Sequence, residues 1–152
     1  DVPKIMERIR TFIFCSNLIE VTHVFDEYSV EEAVAKRDAG IGLNIIMGRT
    51  EYGGALLDFK ESWLDTVTEK TTVLILGDAR NNYGDPRTEI LREITERSRR
   101  LIWLNPESEP FWGTGDSEMK RYLPHCDLVR KCNTLNHLER LVEVLMRRAT
   151  LH

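Results

Sequence analysis

Cysteine is scarce in this chain of 152 residues, with only Cys15, Cys126 and Cys132. Their number is odd and no Cys-x-x-Cys pair occurs, which excludes a disulfide framework or zinc ribbon and points to a reducing, cytoplasmic setting. Long apolar runs are lacking too. No stretch approaches the ~20 residues that span a bilayer, and the first residues lack the basic, apolar and small-residue order of a secretory signal. The sequence contains no P-loop, no Gly-x-Gly-x-x-Gly and no Gly-x-Ser-x-Gly, so the commonest nucleotide-binding and nucleophile-elbow patterns drop out. An excess of positive charge is also missing: 21 Lys and Arg face 25 Asp and Glu, for a formal charge of -4. That balance argues against a nucleic-acid surface. The cluster Arg97, Arg99 and Arg100 falls at the end of a predicted helix, where cations meet the negative pole of the helix dipole.

What is present suits one soluble domain over residues 1–152 with one core, at 41% hydrophobic and 30% charged residues. Thr11 to Cys15 and Leu18 to Thr22 are β-rich runs separated by Ser16 and Asn17, which predicts a tight antiparallel hairpin at a sheet edge. Ser29 and Glu32 form a capping box for a short helix with Val30, Ala33 and Val34 on its apolar side, ending near Gly40. Ala55, Leu56, Phe59, Trp63 and Leu64 recur at helical spacing, and Gly53 and Gly54 suggest a backbone lying close to the sheet. Val73 to Leu76 and Leu101 to Leu104 are continuous apolar runs, as expected of central parallel strands covered on both faces. Between them Asp85 is placed to cap a helix with Pro86 at its first position and Ile90, Leu91 and Ile94 buried. Leu128 and Val129 read as a short strand. The closing helix carries Leu135, Leu138, Leu141, Val142, Leu145 and Met146, with Asn133 or Thr134 as its cap.

This order of elements is a doubly wound α/β fold, in which ligands bind beyond the carboxyl ends of the parallel strands. Asp78 directly follows one apolar run, and Thr50 lies in the Gly48-Arg49-Thr50 loop just before a helix. A carboxylate and a hydroxyl are oxygen donors of the kind hard cations prefer. Each also has a plain structural reading, Thr50 as a helix N-cap and Asp78 as a turn residue. His125, Cys126, Cys132 and His137 are the rival constellation, for zinc; a strand between them would point adjacent residues to opposite faces. An enzyme reading would use Asp78 as nucleophile or general base in hydrolysis or phosphoryl transfer, yet no partner for it is visible and the chain reads as a binding module. Tyr83, Phe111 and Trp112 lie in predicted loops and are candidate anchors of a metal-independent interface. His23 and His152 read as surface residues.

The order of these pieces resembles the von Willebrand factor A domain, within it the CoxE-like branch. The residues that carry the likeness are Thr11-Phe12-Ile13-Phe14 with Asn17-Leu18-Ile19-Glu20-Val21-Thr22, the Gly48-Arg49-Thr50 loop, and Leu74-Ile75-Leu76-Gly77-Asp78 with Gly84-Asp85-Pro86. Leu101-Ile102-Trp103-Leu104-Asn105-Pro106, the most specific element, and Tyr122-Leu123-Pro124-His125-Cys126-Asp127 complete it. The resemblance implies a three-layer, Rossmann-like fold with a metal-ion-dependent adhesion site, where a partner's carboxylate completes the coordination of Mg²⁺ (or Mn²⁺ or Ca²⁺). Thr50 and Asp78 would be its metal ligands. It further implies action beside a MoxR-type AAA+ ATPase in assembly or maturation of another protein. The family's Asp-x-Ser-x-Ser loop has no counterpart here, and Pro3 to Arg10 match the late part of the family's first helix. The first strand and its loop are thus expected from residues preceding Asp1 or from another molecule. Three further expectations concern packing: Cys15 is buried and all three thiols are free, Trp103 is core, and Asn105 and Pro106 emerge at the ligand-bearing edge.

Overall fold

A computed structural model describes residues 8–29, 31–32, 35–36 and 48–149, except for the side chains of Phe25 and residues 146–149. The N-terminal hairpin consists of β1 (Phe12–Phe14) and β2 (Leu18–Glu20), paired antiparallel with Phe14 opposite Leu18. The connection is the three residues 15–17, one more than the sequence suggests. A short helix absent from the sequence reading, α1 (Thr22–Glu27), follows at once. Val21 and Val24 bury themselves against Ile13 and Ile19, which closes a small cluster on one side of the hairpin. The reciprocal capping box is formed: the Ser29 amide donates to Glu32 at 2.9 Å and the Glu32 amide to Ser29 at 3.3 Å. Its apolar residues Val30, Ala33 and Val34, with Gly40, lie outside the described residues.

The larger sheet has the order β3 (Thr72–Leu76), β4 (Arg100–Asn105), β5 (Leu128–Lys131), all parallel. Among the described residues the hairpin is a separate two-stranded sheet. The two sheets are held together by α2 (Tyr52–Trp63): Phe12 meets Phe59 and Trp63 edge-on at centroid distances of 5.6 and 5.1 Å, and the Leu18 amide donates to Asp58. On the same side of the larger sheet lie α3 (Thr88–Arg97) and the single turn α4 (Met119–Tyr122), while α5 (Leu135–Ala149) covers the other face. Helices on both faces of a parallel sheet make the three-layer α/β architecture.

Alternation along the strands builds two cores. Val73, Ile75, Leu101, Trp103 and Val129 face α2 and α3, whereas Ile102, Leu104 and Leu128 meet Leu138, Leu141 and Leu145 of α5. β4 is the central strand, and every residue from Leu101 to Asn105 is buried. The expectation that the Val73 to Leu76 run is covered on both faces is corrected. β3 is an edge strand among the described residues, and Leu74 and Leu76, on its α5 side, are 42% and 57% exposed.

One helix start also differs from the expectation. α3 begins at Thr88 instead of Pro86, because Arg87 occupies the left-handed region at φ 48° and interrupts the chain just before the first turn. Asp85 therefore caps no helix; it accepts from the Arg87 amide at 3.0 Å, an Asx turn. Ile90, Leu91 and Ile94 are buried as expected. Thr134 caps α5 by accepting the His137 amide at 3.2 Å. Leu135 and Val142 of its apolar stripe stay largely exposed.

Candidate functional site at the carboxyl end of the sheet

The parallel ladder runs one residue past β3, where the Gly77 amide donates to the Leu104 carbonyl, and Asp78 then opens the loop at the carboxyl end of the sheet. Beneath that loop lies a column of rings, Phe14, Tyr52, Trp103 and Tyr122, with successive centroid distances of 4.9, 5.6 and 5.0 Å. Large aromatic area stabilises the column, and its polar atoms must find partners when buried. They find them in the loop: Tyr52 donates to Asp78 Oδ1 at 3.1 Å, Trp103 Nε1 to the Gly77 carbonyl at 2.9 Å, and Tyr122 to the Pro86 carbonyl at 2.8 Å. Burial, then the adjacent Asp78 carboxylate, pushes the Tyr52 phenol well above its ordinary range; burial does the same to Tyr122. Both therefore stay protonated donors at neutral pH. Gly77 lacks a side chain for a steric reason, since a Cβ there would fall on the Tyr52 hydroxyl.

The loop after Asp78 is backbone under strain. Ala79, Asn82, Tyr83 and Arg87 all have positive φ, between 48° and 62°, a region costly for residues with a Cβ. Side chains hold it there. Asn81, fully buried, accepts from the Gly53 amide at 3.2 Å and donates to the Gly84 carbonyl at 2.9 Å, while Asn82 Nδ2 donates to the Thr50 carbonyl at 2.9 Å. Loop 78–84 is thereby stitched to loop 48–54. Gly53 fits because a Cβ would fall on the Asp85 carbonyl oxygen, so the close approach inferred for this glycine is to the loop and not to a strand.

A second seam joins loop 78–84 to residues 105–118. Arg80 makes a bidentate pair with Glu107, at 2.8 and 3.1 Å, and a further pair with Asp116 at 2.9 Å. Hydrogen bonds to Arg80 hold the Asp116 carboxyl below its ordinary range, and those to Glu107 and Asp116 fix the guanidinium in its charged form. Backbone bonds from Asn81 to Asp116 and from Glu118 to Ala79 complete the seam. Asn105 does not emerge at the edge as expected. It is fully buried, donating to the Asp78 carbonyl at 3.2 Å and accepting from the Glu107 amide at 2.8 Å; only Pro106 is exposed.

Asp78 and Thr50 thus sit on two loops that are tied to each other. Asp78 Oδ1 accepts from Tyr52 and from the Arg80 amide, and Oδ2 has no hydrogen-bond partner among the described residues. Thr50 does not cap α2: the N-cap is Glu51, and no side chain among the described residues closes that end. Its hydroxyl lies 3.9 Å from the Cys15 thiol, which is half-buried where burial was expected. These two oxygens suit a hard cation in kind but fall short in number. Among the described residues no group of three or more His, Cys, Asp or Glu could hold a metal, and that includes the zinc set His125, Cys126, Cys132 and His137. Of the loop aromatics, Trp112 is core and bonds the Glu107 carbonyl, whereas Tyr83 and Phe111 are 81% and 56% exposed. Sequence reasoning missed Tyr52, Arg80, Asn81 and Asn105 as the residues that shape the site. The one local signal was the Asn81-Asn82 pair, a residue type that tolerates left-handed backbone.

The family described as VWA domain containing CoxE-like protein matches residues 2–138. No curated protein and no solved structure matches the chain. No helix among the described residues is long and apolar enough to cross a membrane.

Proposed function

Because the chain belongs to the CoxE-like family of VWA domains, we propose that it is a protein-binding module that works through the carboxyl edge of its parallel sheet. The observation that carries this reading is the stitching of loop 48–54 to loop 78–84 through Tyr52, Asn81 and Asn82. It ties the loop that carries Thr50 to the loop that carries Asp78, and preorganisation of that kind lowers the entropic cost of association. In this reading Thr50 and Asp78 contribute two oxygens to a divalent-cation site, Mg²⁺ first, whose other donors come from further residues, water and the partner. When bound, the cation would supply a positive centre for a partner's carboxylate. Tyr52 and the Arg80 amide orient the Asp78 carboxylate by engaging Oδ1 and leaving Oδ2 for the ion. The family resemblance extends the proposal to a MoxR-type AAA+ ATPase as partner, in assembly or maturation of another protein.

Two protein oxygens predict weak binding, so the test is Mn²⁺ broadening of backbone amide resonances, which registers weak sites. Broadening centred on Thr50 and Asp78, and lost in Asp78→Ala, is the expected result. Broadening elsewhere, or unchanged by that substitution, would overturn the metal-site assignment. A metal-independent interface has one observation in its favour, the exposure of Tyr83 and Phe111. Partner capture that persists in EDTA but fails in Tyr83→Ala would select it.

A further inference from the structure

On the α5 side of the sheet, a cavity of about 270 Å³ opens between the carboxyl ends of β4 and β5 and α5. Leu104, Leu128, Leu141 and Val144 supply its apolar lining, and Cys132 closes one side. Arg130, Lys131 and Arg140 line the same cavity. No Asp or Glu is among the lining residues. Lys60, Arg80, Arg92, Arg97 and Arg121 all have carboxylate partners. Among the described residues the three cavity cations have none, and Arg130 reaches only the carbonyl of its neighbour Val129. His137, also in the lining, accepts the Asn133 amide at Nδ1, so its neutral ring carries the proton on Nε2 and adds a donor.

We propose that this cavity, whose lining includes neither Thr50 nor Asp78, is a docking site for a short acidic-apolar peptide segment of a partner protein. One apolar side chain of the peptide enters against Leu104, Leu128, Leu141 and Val144, and flanking carboxylates meet Arg130, Lys131 and Arg140. Charge supports an acidic segment: on a chain of net charge -4, three cations and no carboxylate among the lining residues of one apolar cavity form a local field that steers an anionic partner. Several separate cations also match carboxylates spaced along a peptide better than one compact anion.

Selection of displayed random peptides against the whole chain tests the proposal, and EDTA in the buffer separates it from any metal site. The expected peptides carry a large apolar residue flanked by Asp or Glu, and bind at least about tenfold more weakly to the Arg130→Glu, Arg140→Glu double variant. All three charges are exposed, so the thermal midpoint of that variant should match the parent. Val144→Trp, at a position 42% exposed, is an uncharged second check and should block entry to a similar degree. Selected peptides without the acidic-apolar pattern, or binding indifferent to both variants, would overturn the proposal. So would dodecanoate bound with the same residue dependence while peptides fail, since the site would then belong to a small amphiphile.

Discussion

A single hydrogen atom decides the geometry around Asp78. Gly77 leaves room for the Tyr52 hydroxyl, and that hydroxyl fixes one oxygen of the carboxylate. Gly77→Ala should therefore cost about 1–3 kcal/mol, the usual range for overpacking, because the added methyl must displace a buried ring. Tyr52→Phe keeps the ring and removes only the bond, so it should cost about 0.5–1.5 kcal/mol. Urea titration of both variants checks the ordering, and equal costs would show that steric approach is not the cause. Cys126 offers a test by pH. Burial, with help from the Asp127 carboxylate, pushes its thiol from 9.0 up to about 12. The folded state thus holds a proton that the unfolded state gives up first. This contribution is fully present below about pH 9 and is lost as pH rises towards 12. Tyr52 and Tyr122, also raised, act in the same direction. Urea titrations across this range should show falling stability, with a shallower fall in Cys126→Ala; an unchanged slope would place the thiol in water.

Among the elements, β4 bears most of the structure. It is flanked by strands on both sides and buried on both faces, with Trp103 stacked between Tyr52 and Tyr122. Trp103→Ala should destabilise by about 3–5 kcal/mol, the range for emptying a large aromatic site in a core. Denaturant unfolding measures it, and a near-neutral effect would contradict the central position of the strand. The periodic elements were legible beforehand because the signal lies in neighbouring residues. The apolar runs 73–76 and 101–104 are β3 and β4, and the stripe of α5 packs through Leu138, Leu141 and Leu145. α1 escaped notice since its six residues are too few to show a period, and its cluster depends on Ile13 and Ile19 of the hairpin. The start of α3 escaped for another reason. Asp85 and Pro86 make a good local cap, but Arg87, its amide bonded to Asp85, adopts a left-handed conformation that no capping rule anticipates.

At the scale of the whole molecule, the described sheet ends at β3, with Leu74 and Leu76 open to solvent beside an edge unpaired among the described residues. Exposed apolar edges pair with other chains. The chain should therefore associate as concentration rises in sedimentation velocity, and Leu74→Lys with Leu76→Lys should suppress this while shifting stability by no more than about 0.5 kcal/mol per exposed site. A monomer at every concentration would show that the edge is protected. By itself the sequence determined the fold class, the parallel strands, the family, and the two loops that carry Thr50 and Asp78, because hydrophobic period and short motifs are local properties. Only the tertiary structure decided that β4 is central while β3 is an edge, that Asn105 is an internal strut, and that Thr50 leaves the helix cap to Glu51. It also decided that Asn81 and Asn82 join the two loops. Those outcomes depend on strand order and on hydrogen bonds between residues 26 to 32 positions apart, and such partners are set by how the whole chain closes on its cores.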